Sequence, residues 1–174
     1  MTQAYFFDMD GVLFDSMPNH ARAWVQVMNA HHLHFTVRDC YLNEGRTSVD
    51  VIRDALEKIG ILDASNEEIL NIYKEKSDLF RQLGGAQPMP GIADVLKDLW
   101  LNGDKIFVVT GSRLKSLFEH LNDVFPVPDN LSPGNANHYF DRDRMITAYD
   151  VTHGKPDPEP YLKAWERSGL QKEQ

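Results

Sequence analysis

Cysteine is nearly absent from this 174-residue chain: Cys40 stands alone, so no disulfide framework can form within it. A basic block is lacking too. Against 26 acidic residues there are only 18 Lys and Arg, and the resulting net charge of −8 is spread along the sequence, which argues against sequence-independent grip on nucleic acid. No apolar run reaches the length of a membrane-spanning helix, and no stretch has the pattern of a signal peptide. These absences point to a reducing cytoplasm, with neither nucleic acid nor a membrane as partner. The 42% apolar and 25% charged content is that of an ordinary globular protein of one or two domains, which excludes disorder and collagen-like repeats. Nothing in the sequence speaks to oligomeric state.

What is present begins with AYFFDMDGVLFDS, residues 4–16. Ala4 to Phe7 is too short and too aromatic for a helix and reads as a buried strand. It ends on Asp8 and Asp10, carboxylates that are costly at the mouth of such a strand unless a cation or hydrogen bonds compensate them. Helical periodicity follows. Ala21, Trp24, Val25 and Met28 recur at helix spacing after Pro18, and Val49, Ile52, Leu56 and Ile59 repeat the pattern. Ser65 with Glu68 forms a capping box ahead of a third run, Ile69, Ile72, Tyr73, Leu79, Phe80 and Leu83. Residues 17–83 therefore read as all-helical, bounded by linkers at Ser16–Asn19 and in the turn-rich GGAQPMPG, 84–91.

Beyond that linker the texture alternates. Ile92, Val95, Leu96, Leu99 and Trp100 mark a helix, KIFVVT (105–110) a strand, and Leu114, Leu117, Phe118 and Leu121 another helix. A proline- and asparagine-rich loop runs from Pro126 to His138. MITAY (145–149) reads as a third strand, and PDPEPYLKAWERSGL as a helix entered through prolines. Such alternation implies a parallel sheet with ligands outside the carboxyl ends of its strands. There the sequence gathers Asp8 and Asp10, then Thr110, Gly111 and Ser112, then Gly154, Lys155 and Pro156.

Two carboxylates, a hydroxyl with backbone N–H groups, and one lysine suit phosphoryl transfer. Mg²⁺ would compensate the carboxylate pair, since it takes one or two carboxylates together with water and substrate phosphate. A phosphate would find hydrogen bonds from Thr110 and charge from Lys155. Asp8 can attack phosphorus to give an aspartyl phosphate, and Asp10 can protonate the leaving alcohol and later deprotonate the incoming nucleophile.

DMDGVLFDS, VVTGS and GKPDPEPY resemble the first three motifs of the haloacid dehalogenase superfamily of phosphohydrolases, in the family's order. The helical insert after the first motif is similar to the family's helical cap. The resemblance implies an α/β fold: a Rossmann-like parallel sheet core, residues 1–16 and 88–174, with an inserted all-helical cap, residues 17–87. It implies Asp8 as nucleophile, Asp10 as acid/base, Thr110 and Lys155 as stabilisers of phosphate and intermediate, and Mg²⁺ held by Asp8 and the backbone carbonyl of Asp10. The second aspartate argues against the dehalogenase branch.

Within the superfamily the sequence looks most like β-phosphoglucomutase and sugar-phosphate phosphatase members. PNHARAW resembles the segment in which a hinge histidine, His20, and a tryptophan, Trp24, begin the cap. NEGRTS resembles the cap segment whose arginine, Arg46, meets substrate. Arg113, beside Gly111 and Ser112, would bind a non-transferred phosphate. The ligand implied is a small phosphorylated metabolite, a sugar phosphate above all. Phosphatase and β-phosphoglucomutase differ only in whether water or a sugar hydroxyl attacks the aspartyl phosphate.

Plainer readings compete at several positions. Trp24 serves equally as core, Thr110 as a helix cap, and His31, His32 and His34 read as solvated rather than as a metal cluster. The family continues past GKPDPEPY into a fourth strand with an acidic motif that completes the Mg²⁺ shell, whereas the sequence ends at Gln174. A fragment of a longer chain, a defective phosphate-binding derivative and a core that manages with three strands are all open on this reading. Weak Mg²⁺ binding and an unpaired sheet edge beside Asp8 are the expectation.

Overall fold

The structure, a computed structural model, describes residues 2–113, 117–128, 131 and 138–171. In chain order its elements are β1 (Ala4–Phe7), β2 (Phe14–Asp15), α1 (Met17–Ala30), α2 (Val37–Leu42), α3 (Ser48–Lys58), α4 (Asn66–Gln82), β3 (Gln87–Pro88), α5 (Ile92–Leu101), β4 (Lys105–Val109), α6 (Leu117–Val124), β5 (Met145–Ile146) and α7 (Glu159–Ser168). A 3-10 turn, Arg142–Arg144, leads into β5. No helix of the described residues is long and apolar enough to cross a membrane.

The architecture is the α/β sheet core with helices that the motif order implies. β1, β4 and β5 form a parallel sheet in the order β1-β4-β5, with Phe7 opposite Val108 and Val109 opposite Ile146. Strand periodicity explains the apolar run of β4. Ile106 and Val108 face one cluster with Leu96, Leu117 and Leu121, while Phe107 and Val109 face another with Ile146 and Ala164 of α7. A strand covered on both faces has no polar side to show. β1 alternates in step, Tyr5 and Phe7 toward the first cluster and Ala4 and Phe6 toward the second. Among the described residues β1 is an edge of this sheet.

Helices α1 to α4 bury their apolar faces against one another in a third cluster that includes Ala21, Trp24, Met28, Ile52, Leu56, Ile69 and Ile72. Complete burial of a side chain such as Ile52 or Ile69 contributes about 1.5 to 3 kcal/mol, so this cluster supplies much of the insert's own stability. Ser65 and Glu68 make both bonds of the capping box that opens α4. On α1 the buried position is Val27, with Val25 only half-buried.

Five features depart from the sequence reading. Met17–Asn19 are the first turn of α1 rather than linker, with Pro18 in that turn. The short α2, opened by a capping box of Thr36 and Asp39, divides the insert where the apolar period alone marks no separate helix. The two chain crossings pair as an antiparallel ribbon, Phe14 with Pro88 and Asp15 with Gln87, so the linkers are joined to each other. The strand expected over 145–149 ends at Ile146, because the Asp150 carboxylate accepts from both N and Oγ1 of Thr147 and turns the chain out of the sheet. The last helix is likewise shorter than PDPEPYLKAWERSGL, closing on Gly169 in the left-handed region. Leu114 and most of the loop from Pro126 to His138 lie outside the described residues.

Candidate active site

β1 delivers Asp8 and the chain then turns sharply. Gly11 adopts φ +81°, its N–H donates to Phe14 O at 2.8 Å, and the N–H groups of Leu13 and Phe14 donate to Met9 O at 2.9 and 3.0 Å. An L side chain rarely adopts that φ, so the glycine is what permits the reversal. The turn brings fully buried Ser16 back to the sheet end, where its hydroxyl donates to Asp10 Oδ1 at 2.5 Å.

Asp8 Oδ1 accepts from its neighbour's amide, Met9 N, at 2.7 Å and pairs with Lys155 Nζ at 2.8 Å. Lys155 also donates to the carbonyl of Val109 at 3.0 Å, which ties the loop after β5 to the end of β4. The next residue, Thr110, is buried; its N–H donates to Ile146 O and its Oγ1 accepts from Ser112 N at 3.1 Å.

A relay of side chains reaches Asp10 from the helical insert. His20 Nε2 on α1 lies 3.1 Å from Asp10 Oδ1, and Lys76 Nζ on α4 lies 2.6 Å from His20 Nδ1. The imidazole stacks on Phe80 with centroids 4.0 Å apart, and Lys76 Nζ stands 4.8 Å from the Trp24 ring centroid. Burial pushes the Lys76 ammonium down to about 8, against the upward pull of Asp10, Cys40 and Glu44. Burial also lowers His20, helped by the Lys76 charge and opposed by its bond to Asp10. Burial alone would raise Asp10, but hydrogen bonds from His20 and Ser16 and the charges around it hold the carboxyl below its ordinary value.

A cleft of about 650 Å³ opens over these groups. Of the residues singled out in the sequence, Asp8, Asp10, His20, Trp24, Arg46, Thr110, Gly111, Ser112 and Arg113 line it, and Lys155 reaches it through Asp8. Trp24 is also core, packed on Phe35. Arg46 is held by Asp54 at 2.7 Å and Asn43 at 2.8 Å. Arg113 lies over the Tyr149 ring, and its buried Nε has no hydrogen-bond partner among the described residues. His31 pairs with Glu75 on the surface, and no group of three or more His, Cys, Asp or Glu side chains able to hold a metal stands among the described residues.

Lys76 and Glu44 are cleft residues that sequence reading missed. Lys76 had a signal, since it falls in phase with the apolar residues Ile69, Ile72 and Phe80, where a surface lysine would not be expected. Glu44 precedes Gly45 in the loop between α2 and α3; loss of hydration against the cleft wall, with the charges of Asp10 and Asp8, pushes its carboxyl up to about 7. Cys40 also faces the cleft, but burial pushes its thiol up to about 11, which keeps it from acting as a thiolate.

Asp8 and Asp10 each have one carboxylate oxygen, Oδ1, taken by protein donors. The donor set fits Mg²⁺, which is commonly held by one or two carboxylates plus phosphate and water, although no third acidic, His or Cys ligand joins them among the described residues.

The model of the haloacid dehalogenase-like hydrolase family matches residues 2–174. Fructose-1-phosphate phosphatase YqaB of Escherichia coli K12 is 27% identical over 170 residues, which cover 95% of this chain and 79% of that protein. A phosphorylated carbohydrates phosphatase of Thermotoga maritima is 28% identical over 171 residues, 95% of this chain and 70% of the other. Among solved structures, a candidate β-phosphoglucomutase from Bacteroides vulgatus is 39% identical with a TM-score of 0.83, covering 98% of this chain and 64% of that one. The chain thus spans less than two thirds of the length of that neighbour.

Proposed function

The chain belongs to the haloacid dehalogenase-like hydrolases, and we propose that it hydrolyses a monophosphate ester of a small sugar through a phosphorylated Asp8. The observation that carries this reading is the convergence of Asp8, paired with Lys155, and Asp10, bonded to Ser16 and His20, at the carboxyl end of one parallel sheet. The sugar-phosphate preference is supported by the two curated relatives, both phosphatases of phosphorylated sugars or carbohydrates by name.

In the first step an Asp8 carboxylate oxygen bonds to phosphorus as the bond from phosphorus to the sugar oxygen breaks. Asp10 hands a proton to that oxygen. In the second step water attacks the aspartyl phosphate, its proton passes to Asp10, and the bond from Asp8 to phosphorus breaks to release phosphate. Lys155 and Thr110 take charge and hydrogen bonds on the phosphoryl oxygens, with Gly111 and Ser112 beside them and Arg113 offering its guanidinium to a more distal oxygen. Mg²⁺, held by Asp8 and Asp10, would supply charge neutralisation between the carboxylates and the phosphoryl group.

Asp10 is anionic in the resting cleft, so it must acquire a proton before it can donate one. The path is the relay behind it: Lys76 donates to Nδ1 of His20, whose Nε2–H faces Asp10 Oδ1. Residues 17–87 act as a cap in this reading, since His20, Trp24 and Arg46 reach the reacting end of the sheet only from the helical insert, which excludes water from the cleft as it closes.

The reading of transfer to a second sugar hydroxyl, as in β-phosphoglucomutase, is favoured by one observation, the 39% identity to the Bacteroides vulgatus protein. Phosphate release from a panel of sugar phosphates with Mg²⁺ tests the first reading. Conversion of β-glucose 1-phosphate in the presence of a bisphosphate primer tests the second. Absence of both activities in the wild-type chain, with Asp8→Asn as the blank, would refute phosphoryl transfer.

A further inference from the structure

We propose that Gly154 is a positioning residue: it forms, with Thr47, a seat that docks the Glu44–Thr47 loop of the helical insert onto the two segments that carry Thr110 and Lys155. The proposal rests on the phosphotransfer reading above and adds what holds the two halves of the cleft in register.

The contact is unusually close on the sheet side. A Cβ at Gly154 would lie 2.7 Å from Thr47 Cγ2 and 3.5 Å from Thr47 N. A Cβ at Gly111 would lie 2.9 Å from the carbonyl oxygen of Arg46 and 3.0 Å from that of Gly45. From the other side, a Cβ at Gly45 would meet the Lys155 side chain at 3.2 Å. Real carbon contacts essentially never fall below 3.0 Å, so the loop reaches its observed position only because residues 111 and 154 have no side chain.

Backbone conformation does not explain these glycines. Neither Gly111 nor Gly154 is among the positive-φ glycines, so the obstacle to an alanine at either position is the space its Cβ would need rather than a left-handed φ.

The obstacle at Gly154 is a single methyl that cannot swing aside. Thr47 is buried and caps α3: its Oγ1 donates to Asp50 Oδ2 at 2.5 Å and accepts from Asp50 N at 3.3 Å. Turning χ1 to relieve the methyl would break that cap, and a β-branched side chain has few other wells. An alanine at 154 therefore moves the loop. The residues displaced with it are Glu44 and Arg46, both lining the cleft, and an error of about 1 Å in positioning can cost on the order of a hundredfold in rate.

The two seats differ in a way that makes the proposal testable. At 154 the clash is with a methyl, and Thr47→Ser removes it while keeping the capping hydroxyl; the built Cβ then has Thr47 N at 3.5 Å and Thr47 Cβ at 3.9 Å, both ordinary contacts. At 111 the clash is with backbone carbonyls, which no side-chain change relieves.

Six proteins decide it: wild type, Thr47→Ser, Gly154→Ala, Gly111→Ala, and each glycine variant combined with Thr47→Ser. The readouts are amide hydrogen exchange of the peptide spanning residues 43–50 and phosphate release from fructose 1-phosphate with Mg²⁺. Gly154→Ala is expected to exchange that peptide at least tenfold faster and to lose tenfold or more in kcat/KM. Adding Thr47→Ser is expected to return both to within about threefold of the Thr47→Ser protein, whereas Gly111→Ala gains nothing from it. Wild-type exchange in Gly154→Ala, or a double variant as impaired as the single, overturns the seat. If Gly154→Ala does not fold, folding and wild-type exchange of the double variant carry the rescue, and failure of both to fold overturns it. If wild type releases no phosphate from fructose 1-phosphate, the panel and mutase assays above decide the activity reading while exchange still decides the docking.

Discussion

Lys76 Nζ lies 2.6 Å from His20 Nδ1, on the far side of an imidazole whose Nε2 is 3.1 Å from Asp10 Oδ1. An ammonium can only donate, so Nδ1 must accept, and the ring proton then resides on Nε2 and faces the carboxylate. The geometry and the downward shift of His20 agree on a neutral imidazole with one tautomer. A buried cation is thus spent on orienting a proton donor toward Asp10.

Replacing that cation separates stability from activity. Lys76 is a base whose pKa falls from 10.5 to about 8 on folding, so the folded chain binds fewer protons across that window and stability rises with pH through it. Below about pH 8 the penalty is fully present, at most about 3 kcal/mol at roughly 1.4 kcal/mol per unit. Lys76→Met is expected to melt at or above the wild-type temperature at pH 7, with the advantage vanishing above about pH 10, while phosphate release slows. Thermal melts across pH check the first part. A clear loss of stability at pH 7 would mean the ammonium's bonds outweigh its burial.

How far the sequence carried varies with the physics of each element. The β4 run and the Ser65–Glu68 box were legible because period and capping chemistry are local. The ribbon joining Phe14 to Pro88 was not, since two-residue strands have no periodicity and their pairing links positions far apart in the chain. β5 stops where a side chain, Asp150, competes for the backbone, which no propensity records. In the site, Asp8, Asp10, Thr110 and Lys155 stood out because their strand ends are marked by motifs. Glu44 matters only because the loop that carries it folds over two glycines.

Removing His20 tests whether the relay works as a unit. His20→Gln is expected to lower kcat by about 10 to 100-fold, within the range that positioned proton transfer supplies. The Lys76→Met change is expected to add little in that background, because both act through the same proton. A double-mutant cycle on phosphate release measures this, and simple multiplication of the two effects would sink the relay.

The two aspartates should fail differently. In the proposed mechanism Asp8→Asn loses the nucleophilic oxygen and is expected to show no turnover. Asp10→Asn keeps the nucleophile and is expected to lose about 10² to 10⁴ in rate while still accepting a phosphoryl group from an ester with a good leaving group. Intact mass after mixing with such an ester distinguishes them: phosphorylated protein in the Asp8→Asn sample would remove Asp8 from its role.

Arg46 is held at the cleft by Asp54, a partly exposed pair at 2.7 Å. Pairs of that kind contribute about 0.2 to 1 kcal/mol, so Asp54→Asn should leave folding stability nearly unchanged. Its effect belongs to substrate: with the guanidinium released, KM for a sugar phosphate is expected to rise several-fold at nearly constant kcat, and Arg46→Ala to raise it further. Chemical denaturation and steady-state kinetics on both variants check the split, and an unchanged KM in both would leave Arg46 without a substrate role.

Glu44 should set the alkaline side of the pH profile. It keeps an exposed edge at the cleft mouth, yet the wall takes enough of its hydration, with Asp10 and Asp8 adding repulsion, to push its carboxyl up to about 7. An acid raised on folding contributes stability below its unfolded value of 4.5 that is lost as pH rises through about 7, so Glu44→Gln should flatten the stability profile over that interval. The same titration bears on substrate. Below pH 7 a neutral carboxyl can donate a hydrogen bond to a sugar or phosphate oxygen; above it, a carboxylate faces a dianionic phosphate across the cleft. Wild-type kcat/KM for a sugar phosphate is therefore expected to decline above pH 7, and Glu44→Gln to hold its value, with a gap on the order of tenfold at pH 8.5 and low salt that narrows as ionic strength rises. Parallel pH profiles for the two proteins at low and high salt provide the measurement. Superimposable profiles would show that the decline, if present, arises elsewhere in the cleft.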